Sequence, residues 1–184
     1  MADKRGEIEK VATQAIKREG FRSMSFRTLA DEVGVKSSSV HYHFPTKDDL
    51  AEAVIRGYTQ AFGEALRAID RRESSLVDKI DAFNELFAEV VAHDDICLCG
   101  MMAAEVSSLN DSARAALRDF FKASEAWLEG VFAAHIEDLN SPLAPEELAR
   151  VFLAGLEGAT LIDRVDSGQD RLAAYRALTR ALVA

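Results

Sequence analysis

The stretch that decides the fold lies near the N-terminus and reads LADEVGVKSSSVHYHFPTK, residues 29–47. Gly34 can adopt a positive φ angle without steric penalty, so it predicts a turn between two short helices. Pro45 disfavours helical geometry at Phe44 and should therefore end the second helix. The apolar residues that would hold the second helix against the first are Val35, Val40 and Phe44.

The second of these helices carries hydroxyl-bearing and aromatic side chains between its apolar positions. They are Ser37, Ser38, Ser39, His41, Tyr42 and His43. In a helix-turn-helix unit the second helix enters the major groove, where such groups reach phosphates and base edges. The stretch therefore predicts a DNA-reading unit.

Capping signals predict further helix boundaries on both sides of this unit. Ser25 is suited to cap the first helix of the pair. Thr46, with Asp49 three residues later, is close to a capping box and predicts a new helix that begins near Lys47. The N-terminus of that helix favours a phosphate, and Lys47 would add a positive charge there.

The same region resembles the N-terminal part of the TetR family of transcriptional repressors. The matching residues are Gly20, Phe21, Ser25, Arg27, Thr28, Ala30, Gly34, Val35, Tyr42, His43, Phe44, Pro45, Thr46, Lys47 and Leu50. The resemblance implies an all-α protein with a three-helix helix-turn-helix DNA-binding domain over residues 1–47. It also implies a helical ligand-binding and dimerisation domain over residues 48–184.

The resemblance, carried over residue by residue, implies a set of DNA contacts. Its members are Arg27, Thr28, Ser37, Ser38, Ser39, Tyr42, His43 and Lys47. We add Lys36 and His41 to this predicted surface. Both depart from the commoner pattern, because His41 stands where family members often have tyrosine and Lys36 where many have a capping serine.

The net charge of −9 is unevenly distributed along the chain. Residues 1–47 hold nine Lys or Arg and six Asp or Glu, whereas residues 48–184 hold 13 and 25. Phosphate attraction acts over roughly 8–10 Å at physiological salt, so the positive charge near the N-terminus is the relevant one for DNA. The sequence has no apolar run of membrane-spanning length and no signal peptide, so we expect a cytoplasmic protein.

Beyond the DNA-reading unit, apolar residues recur at helical spacing, with no convincing strand pattern or internal repeat. One long helix is predicted by Leu50, Val54, Tyr58, Phe62 and Leu66. Further helices are predicted at about 76–91, 96–108, 117–131, 148–162 and 172–182, with a loop at 140–145.

The last two predicted helices have broad apolar faces, and the first of them contains Gly155 and Gly158. Each glycine weakens a helix by about 1 kcal/mol relative to alanine, which a close helix contact would offset. Packing within one subunit is one explanation, but the resemblance favours a four-helix homodimer seam whose two heads read a palindromic operator. The predicted interface residues are Val151, Phe152, Gly155, Ala159, Ile162, Tyr175 and Leu178.

The resemblance also implies a small-molecule cavity in the helical body. Met and Cys are adaptable apolar residues, and a glutamate lies among them, although ordinary core packing explains the same pattern. The predicted ligand-binding residues are Phe83, Phe87, Cys97, Cys99, Met101, Met102, Glu105 and Trp127. We expect a small, largely apolar inducer with one polar end, which releases the repressor from double-stranded DNA.

The two cysteines allow a second sensing hypothesis, a thiol- or metal-responsive repressor. On an intact helix Cys97 and Cys99 would point about 200° apart and would neither pair nor share a metal. His93, Cys97 and Met101 would share one helix face, which suits a soft metal or a thiol switch. Two structural thiols in a reducing compartment remain the alternative, and no metal or other cofactor is predicted.

Two other classes of function are an enzyme and a DNA-binding protein without a ligand. The sequence contains no Gly-rich phosphate loop, G-x-S-x-G elbow or H-E-x-x-H pair, so we do not expect an enzyme. A DNA-binding architectural protein without a ligand is the other alternative, and it predicts that no small molecule weakens DNA binding.

Overall fold

The computed structural model describes residues 3–92, 95–166 and 170–183. These residues form nine α-helices and no strand, which confirms the predicted all-α fold. Helices α1–α9 span Lys4–Glu19, Phe26–Val33, Ser37–His43, Lys47–Arg72, Leu76–Ala92, Leu98–Ala104, Asp111–Ala134, Pro145–Asp166 and Asp170–Leu182. Short 3₁₀ turns occupy Val106–Ser108 and Ile136–Asp138. Among the described helices, none combines the length and the apolar character that a bilayer span requires.

The chain divides into two compact units. The first comprises the described residues of Met1–Gln60 together with Leu98–Phe120, and the second those of Ala61–Cys97 together with Phe121–Ala184. Helices α4 and α7 therefore contribute to both units. The domain boundary expected after residue 47 stays a prediction.

In the first unit, α1–α3 pack around a small apolar core. Gly20 after α1 and Gly34 after α2 have φ angles of 87° and 72°, which a side chain rarely tolerates. Val40 and Phe44 are 0% and 1% exposed, and Val35 is half-buried. The predicted apolar positions thus anchor α3 on one side and leave its other side outermost.

The helix boundaries of this unit follow the predicted capping residues. The Ser25 side chain accepts a hydrogen bond from the Thr28 amide at 3.1 Å. The Thr46 amide donates to Asp49 Oδ2 at 2.9 Å, and the Asp49 amide donates to Thr46 Oγ1 at 3.1 Å. This is a reciprocal capping box, and the long helix α4 begins directly after it at Lys47, as predicted.

The second unit has an aromatic interior. The Phe83 ring stacks on the Trp127 ring with centroids 5.4 Å apart and meets Phe152 edge-on at 6.0 Å. Phe62 and Phe87 extend the cluster with further ring contacts to Phe83. Such aromatic pairs add about 0.5–1.5 kcal/mol each beyond the area that they bury.

A buried carboxylate connects the last two helices of this unit. Asp163 on α8 is 1% exposed and accepts hydrogen bonds from the backbone amides of Leu172 and Arg171 at 2.8 and 3.1 Å. Burial alone would raise the pKa of Asp163, but these hydrogen bonds outweigh that effect and lower it. Asp163 therefore satisfies amides in the first turn of α9 that have no partner within the helix.

The prediction of one helix from Ile96 to about Ser108 is wrong. Helix α6 covers only Leu98–Ala104, and a separate 3₁₀ turn follows it. Ile96 and Cys97 precede α6 in irregular backbone, yet each is only 2% exposed. Because buried irregular chain is as apolar as a buried helix, its hydrophobic pattern imitated a longer helix.

Gly155 on α8 gives space to Tyr175 on α9. The Tyr175 hydroxyl donates to the Phe152 carbonyl at 2.6 Å, and a Cβ atom at Gly155 would lie 2.6 Å from Tyr175 Cζ. We predict that Gly155→Ala lowers the free energy of unfolding by about 1–3 kcal/mol, because the ring must move. Gly130→Ala on α7, where the new methyl group meets nothing within 4 Å, should raise it by up to about 1 kcal/mol. Urea denaturation measures both, and equal stability of the two variants would contradict the prediction.

Candidate DNA-binding and ligand-binding sites

The outer side of α3 presents most of the residues predicted to contact DNA. Tyr42 is 83% exposed, which is a large fraction for an aromatic side chain. Also exposed are Arg27, Thr28, Lys36, Ser37, Ser38 and His41, whereas Ser39, His43 and Lys47 are half-buried. The structure therefore brings the predicted set together in one unit, with seven of its ten members exposed.

Two ring contacts orient the aromatic residues of this surface. The His41 ring meets Phe26 of α2 edge-on with centroids 4.8 Å apart. The Tyr42 ring meets His43 in the same manner at 5.2 Å. Side chains held in this way lose less rotamer freedom when they bind a partner.

Arg5 supports α3 from α1 and was not selected in the sequence analysis. Its guanidinium carbon lies 4.6 Å from the centroid of the Phe44 ring, and its Nη1 atom donates to the His43 carbonyl at 3.5 Å. A cation at the C-terminal end of a helix interacts favourably with the carbonyl groups there. A local pattern could not reveal this role, because the partners lie 38 residues away.

Lys47 and Glu105 both form hydrogen bonds with the backbone of Arg22. Lys47 Nζ donates to the Arg22 carbonyl at 3.1 Å and lies 4.5 Å from the centroid of the Phe21 ring. Glu105, which follows α6, accepts a hydrogen bond from the Arg22 amide at 2.9 Å. Burial lowers the pKa of Lys47, and the charges of Glu105 and Asp48 oppose this shift. The loop between α1 and α2 is thus fastened to the start of α4 and to the end of α6.

The predicted ligand-binding residues are divided between the two units. Cys99, Met101, Met102 and Glu105 belong to the first unit, and Phe83, Phe87, Cys97 and Trp127 belong to the second. Cys99 and Met102 are fully buried, whereas Met101 is half-buried. Within the second unit, the structure brings Phe83, Phe87 and Trp127 into one aromatic cluster.

The polar end of Trp127 already has a partner. Its Nε1 atom donates to Asp70 at 2.9 Å, and Lys79 forms an ion pair with the same carboxylate at 2.7 Å. Burial tends to raise the pKa of Asp70, but the hydrogen bonds from Lys79 and Trp127 lower it overall. Trp127 therefore has its ring, rather than its N–H group, to offer to a ligand.

The proposed helix face for a soft metal does not exist. Cys97 lies in irregular backbone before α6, so it shares no helix with Met101, and His93 lies outside the described residues. Within residues 3–92, 95–166 and 170–183, no cluster of three or more His, Cys, Asp or Glu side chains is suited to hold a metal ion. The geometry therefore does not favour the metal-responsive alternative.

Glu157 on α8 is an ionisable group of the second unit that the sequence analysis missed. The residue is half-buried, but its Oε1 atom is shielded from solvent and has no hydrogen-bond partner. Burial raises the pKa of Glu157 to about 7, although a hydrogen bond from the Cys97 thiol opposes the rise. The only sequence signal was a single acidic residue between the apolar and small residues Leu156 and Gly158.

These features define a helix-turn-helix protein of the all-α class, in which a short exposed helix follows a glycine turn. Residues 8–54, which include all of α2 and α3, match the family model described as "Bacterial regulatory proteins, tetR family". This segment of the chain is therefore similar in sequence to the TetR family.

Similar proteins extend this finding beyond the N-terminal segment. The "HTH-type transcriptional repressor KstR2" of Mycobacterium tuberculosis is 24% identical over 100 residues, and the chain spans about half the length of the first curated relatives it matches. The "HTH-type nicotine-responsive transcriptional repressor HdnoR" of Paenarthrobacter nicotinovorans is 23% identical over 86% of this chain and 82% of that protein.

Solved structures share the fold along nearly the whole chain. A TetR transcriptional regulator from Legionella pneumophila superposes with a TM-score of 0.91 at 27% identity, covering 99% of this chain and 98% of that one. A TetR-family regulator from Agrobacterium tumefaciens gives a TM-score of 0.93 at 24% identity, covering 98% of each chain. The resemblance seen in the sequence is therefore confirmed.

The raised pKa of Glu157 predicts a pH-dependent loss of stability. Because its pKa of about 7 exceeds the ordinary value of 4.5, the folded chain binds more protons than the unfolded chain between these two pH values. The free energy of unfolding should fall as the pH rises through that window. Glu157→Gln should remove this fall and raise stability at about pH 8 by up to about 3 kcal/mol.

Urea denaturation at acidic and at alkaline pH measures this effect. Glu129→Gln on the exposed side of α7 is the matched control and should keep the wild-type dependence. A Glu157→Gln variant with the same pH dependence as the wild type would show that this carboxyl group is not responsible.

Proposed function

We propose that this protein is a transcriptional repressor that binds a palindromic operator as a homodimer and is released by a small organic inducer. The observation that carries the proposal is the short helix α3, anchored by Val40 and Phe44, with Tyr42 and its polar neighbours outermost. The nicotine-responsive relative supports an inducer that is small and largely apolar. The TetR family is one of regulators, so we propose no enzymatic activity.

The DNA-binding surface separates into two kinds of contact. We assign Lys36 and Lys47 to phosphates, because the attraction between an ammonium group and a phosphate does not depend on the base sequence. Ser37, Ser38 and Tyr42 are assigned to base edges, since they are exposed hydrogen-bonding groups of α3. The seven-residue α3 covers only a few base pairs, and two copies related by a two-fold axis would read a palindrome.

The proposed dimer contact is the exposed apolar side of α8 and α9. On α8, Val151, Ile162 and Val165 are 57%, 49% and 80% exposed, and their spacing places them on one side of the helix. Leu178 on α9 is 56% exposed. Four such helices from two subunits form a bundle that removes this apolar surface from water.

This proposal narrows the interface expected from the sequence. Phe152 and Ala159 are buried inside the second unit and are only 2% and 8% exposed. Gly155 contacts Tyr175 of the same chain. We therefore assign these four residues to packing within one subunit. The exposed members of the predicted interface, Val151, Ile162 and Leu178, are assigned to contacts with the partner subunit.

An inducer is favoured over direct thiol sensing. Cys97 and Cys99 are 2% and 0% exposed, whereas redox-sensing thiols are usually accessible thiolates. A thermal-shift screen of small molecules, followed by release of DNA, tests the proposal against a ligand-free architectural role.

The first prediction of this proposal concerns DNA binding. Selection from random-sequence DNA should enrich a palindrome, and Lys36→Ala should weaken binding to all sequences and lower the salt slope by about one unit. Lys47→Ala should lower the slope similarly but reduce affinity further, because it also releases the Arg22 carbonyl. Tyr42→Ala should change the preferred sequence.

Lys122→Ala is the control, since this exposed lysine lies on the α7 segment of the second unit. Its salt slope should equal that of the wild type. An enriched DNA without two-fold symmetry, or an unchanged slope for Lys36→Ala, would refute this assignment.

The second prediction concerns assembly. Ile162→Glu places a charge in the proposed seam and should raise the dimer dissociation constant at least about 100-fold, because that charge would be buried without a partner. Operator affinity should fall with it. Leu143→Glu alters a 37% exposed leucine in the loop before α8 and should leave the dimer intact. Sedimentation velocity measures the dissociation constants of both variants. An Ile162→Glu dimer that dissociates no more than the wild type would place the interface elsewhere.

A further inference from the structure

We propose that Glu157 binds the polar end of the inducer and that this end is a protonated primary or secondary amine. The inference rests on the proposed function, since it names the chemical class of the same inducer. It adds a recognition residue and a charge to a ligand otherwise expected to be largely apolar.

The first observation is a deficit of hydrogen-bond donors inside the second unit. Among the described residues, two buried side-chain oxygens have no partner, Oε1 of Glu157 and Oδ1 of Asn84. Asn84 is 0% exposed, and its Nδ2 atom donates to Thr179 Oγ1 at 3.2 Å. A buried polar atom without a partner costs about 1–3 kcal/mol, so native structures contain few of them. Both unpartnered atoms are acceptors, which a ligand with N–H groups would satisfy.

The second observation concerns charge. Of the interactions described for the Glu157 carboxyl group, the one with a side chain is a hydrogen bond from the Cys97 thiol, which brings no positive charge. A carboxylate in an apolar interior is unfavourable without a counter-charge. An ammonium group supplies an N–H donor and a positive charge at once, and such charge-assisted hydrogen bonds are about twice as strong as neutral ones.

The aromatic interior of the same unit suits the rest of such a ligand. Phe83, Phe87 and Trp127 supply ring faces, and the only N–H group of the Trp127 ring is already bonded to Asp70. Cations are also attracted to the faces of aromatic rings. A compound with an apolar body and one amine therefore matches both kinds of side chain found in this unit.

The charge of the whole chain favours a cation as well. Residues 48–184 contain 13 Lys or Arg against 25 Asp or Glu. A net negative body raises the local concentration of cationic ligands and repels anionic ones. An inducer with a carboxylate end would have to approach this negative charge and then lie beside the Glu157 carboxyl group, where two like charges repel each other.

The test compares three families of probes that differ only at one end. Phenylalkylamines, phenylalkanols and phenylalkanoates of increasing chain length are titrated into the full-length protein by calorimetry at neutral pH. The wild type should bind the best amine at least about tenfold more tightly than the alcohol of the same length, and the carboxylate most weakly. Equal affinity for amine and alcohol, or no binding of any amine, would overturn the inference.

Variants then assign the preference to one residue. Glu157→Gln keeps the shape of the side chain and should reduce the preference for amine over alcohol to less than about threefold. Glu129→Gln on α7 should preserve it. A Glu157→Gln protein that retains the full preference overturns the inference, and circular dichroism checks its fold. The comparison of amine with alcohol in the wild type needs no variant, so it tests the inference even if Glu157→Gln is unstable.

Release of the selected palindrome separates this inference from the proposed function. Amines that bind through Glu157 without releasing DNA would support the site and contradict its role in induction. Probes that release DNA with no preference for amines would support the repressor and contradict the role of Glu157.

Discussion

The burial of Val40 and Phe44 is the contact on which the proposed DNA-binding surface depends. Helix α3 has seven residues, and isolated helices shorter than roughly 12–15 residues are marginal in water. Burying a side chain of this kind contributes about 1.5–3 kcal/mol, so two of them stabilise a helix that its own hydrogen bonds would not. Because these anchors fix one side of α3, Ser38 and Tyr42 are directed outwards. The proposed base-reading side of α3 thus depends on a hydrophobic contact on the opposite side of the helix.

The structure of the N-terminal unit could be predicted from the sequence because its signals are local. Ser25 bonds to the amide three residues later, and Thr46 and Asp49 cap each other over the same distance. Gly34 closes its helix through its own backbone conformation. In each case the residue type and its partner lie within one helical turn, where steric and hydrogen-bond preferences act directly. The resemblance to a family rests largely on the same residues, so the motif and the local contacts predict the same helices.

The contacts that the sequence did not reveal join residues far apart along the chain. Glu105 is 83 residues from Arg22, and Trp127 is 57 residues from Asp70. Glu105 is expected in a ligand pocket because it interrupts an apolar run, and the structure adds a hydrogen bond to its carboxylate from the Arg22 amide of the same unit. Spacing along one helix predicts which residues share a face, and it contains no information about what packs against that face.

The interior of the second unit shows why the polar chemistry of a sensor is hard to locate from residue types. Met and Cys drew attention as adaptable residues, yet the described atoms that lack partners are the oxygens of Glu157 and Asn84. Lowering the affinity for DNA about a hundredfold requires a coupling free energy of roughly 2.7 kcal/mol between inducer binding and DNA binding. Satisfying one buried acceptor contributes about 1–3 kcal/mol, which is the same order. If that contact forms only in the released state, it supplies coupling of the required order, and the apolar body of the inducer adds affinity common to both states.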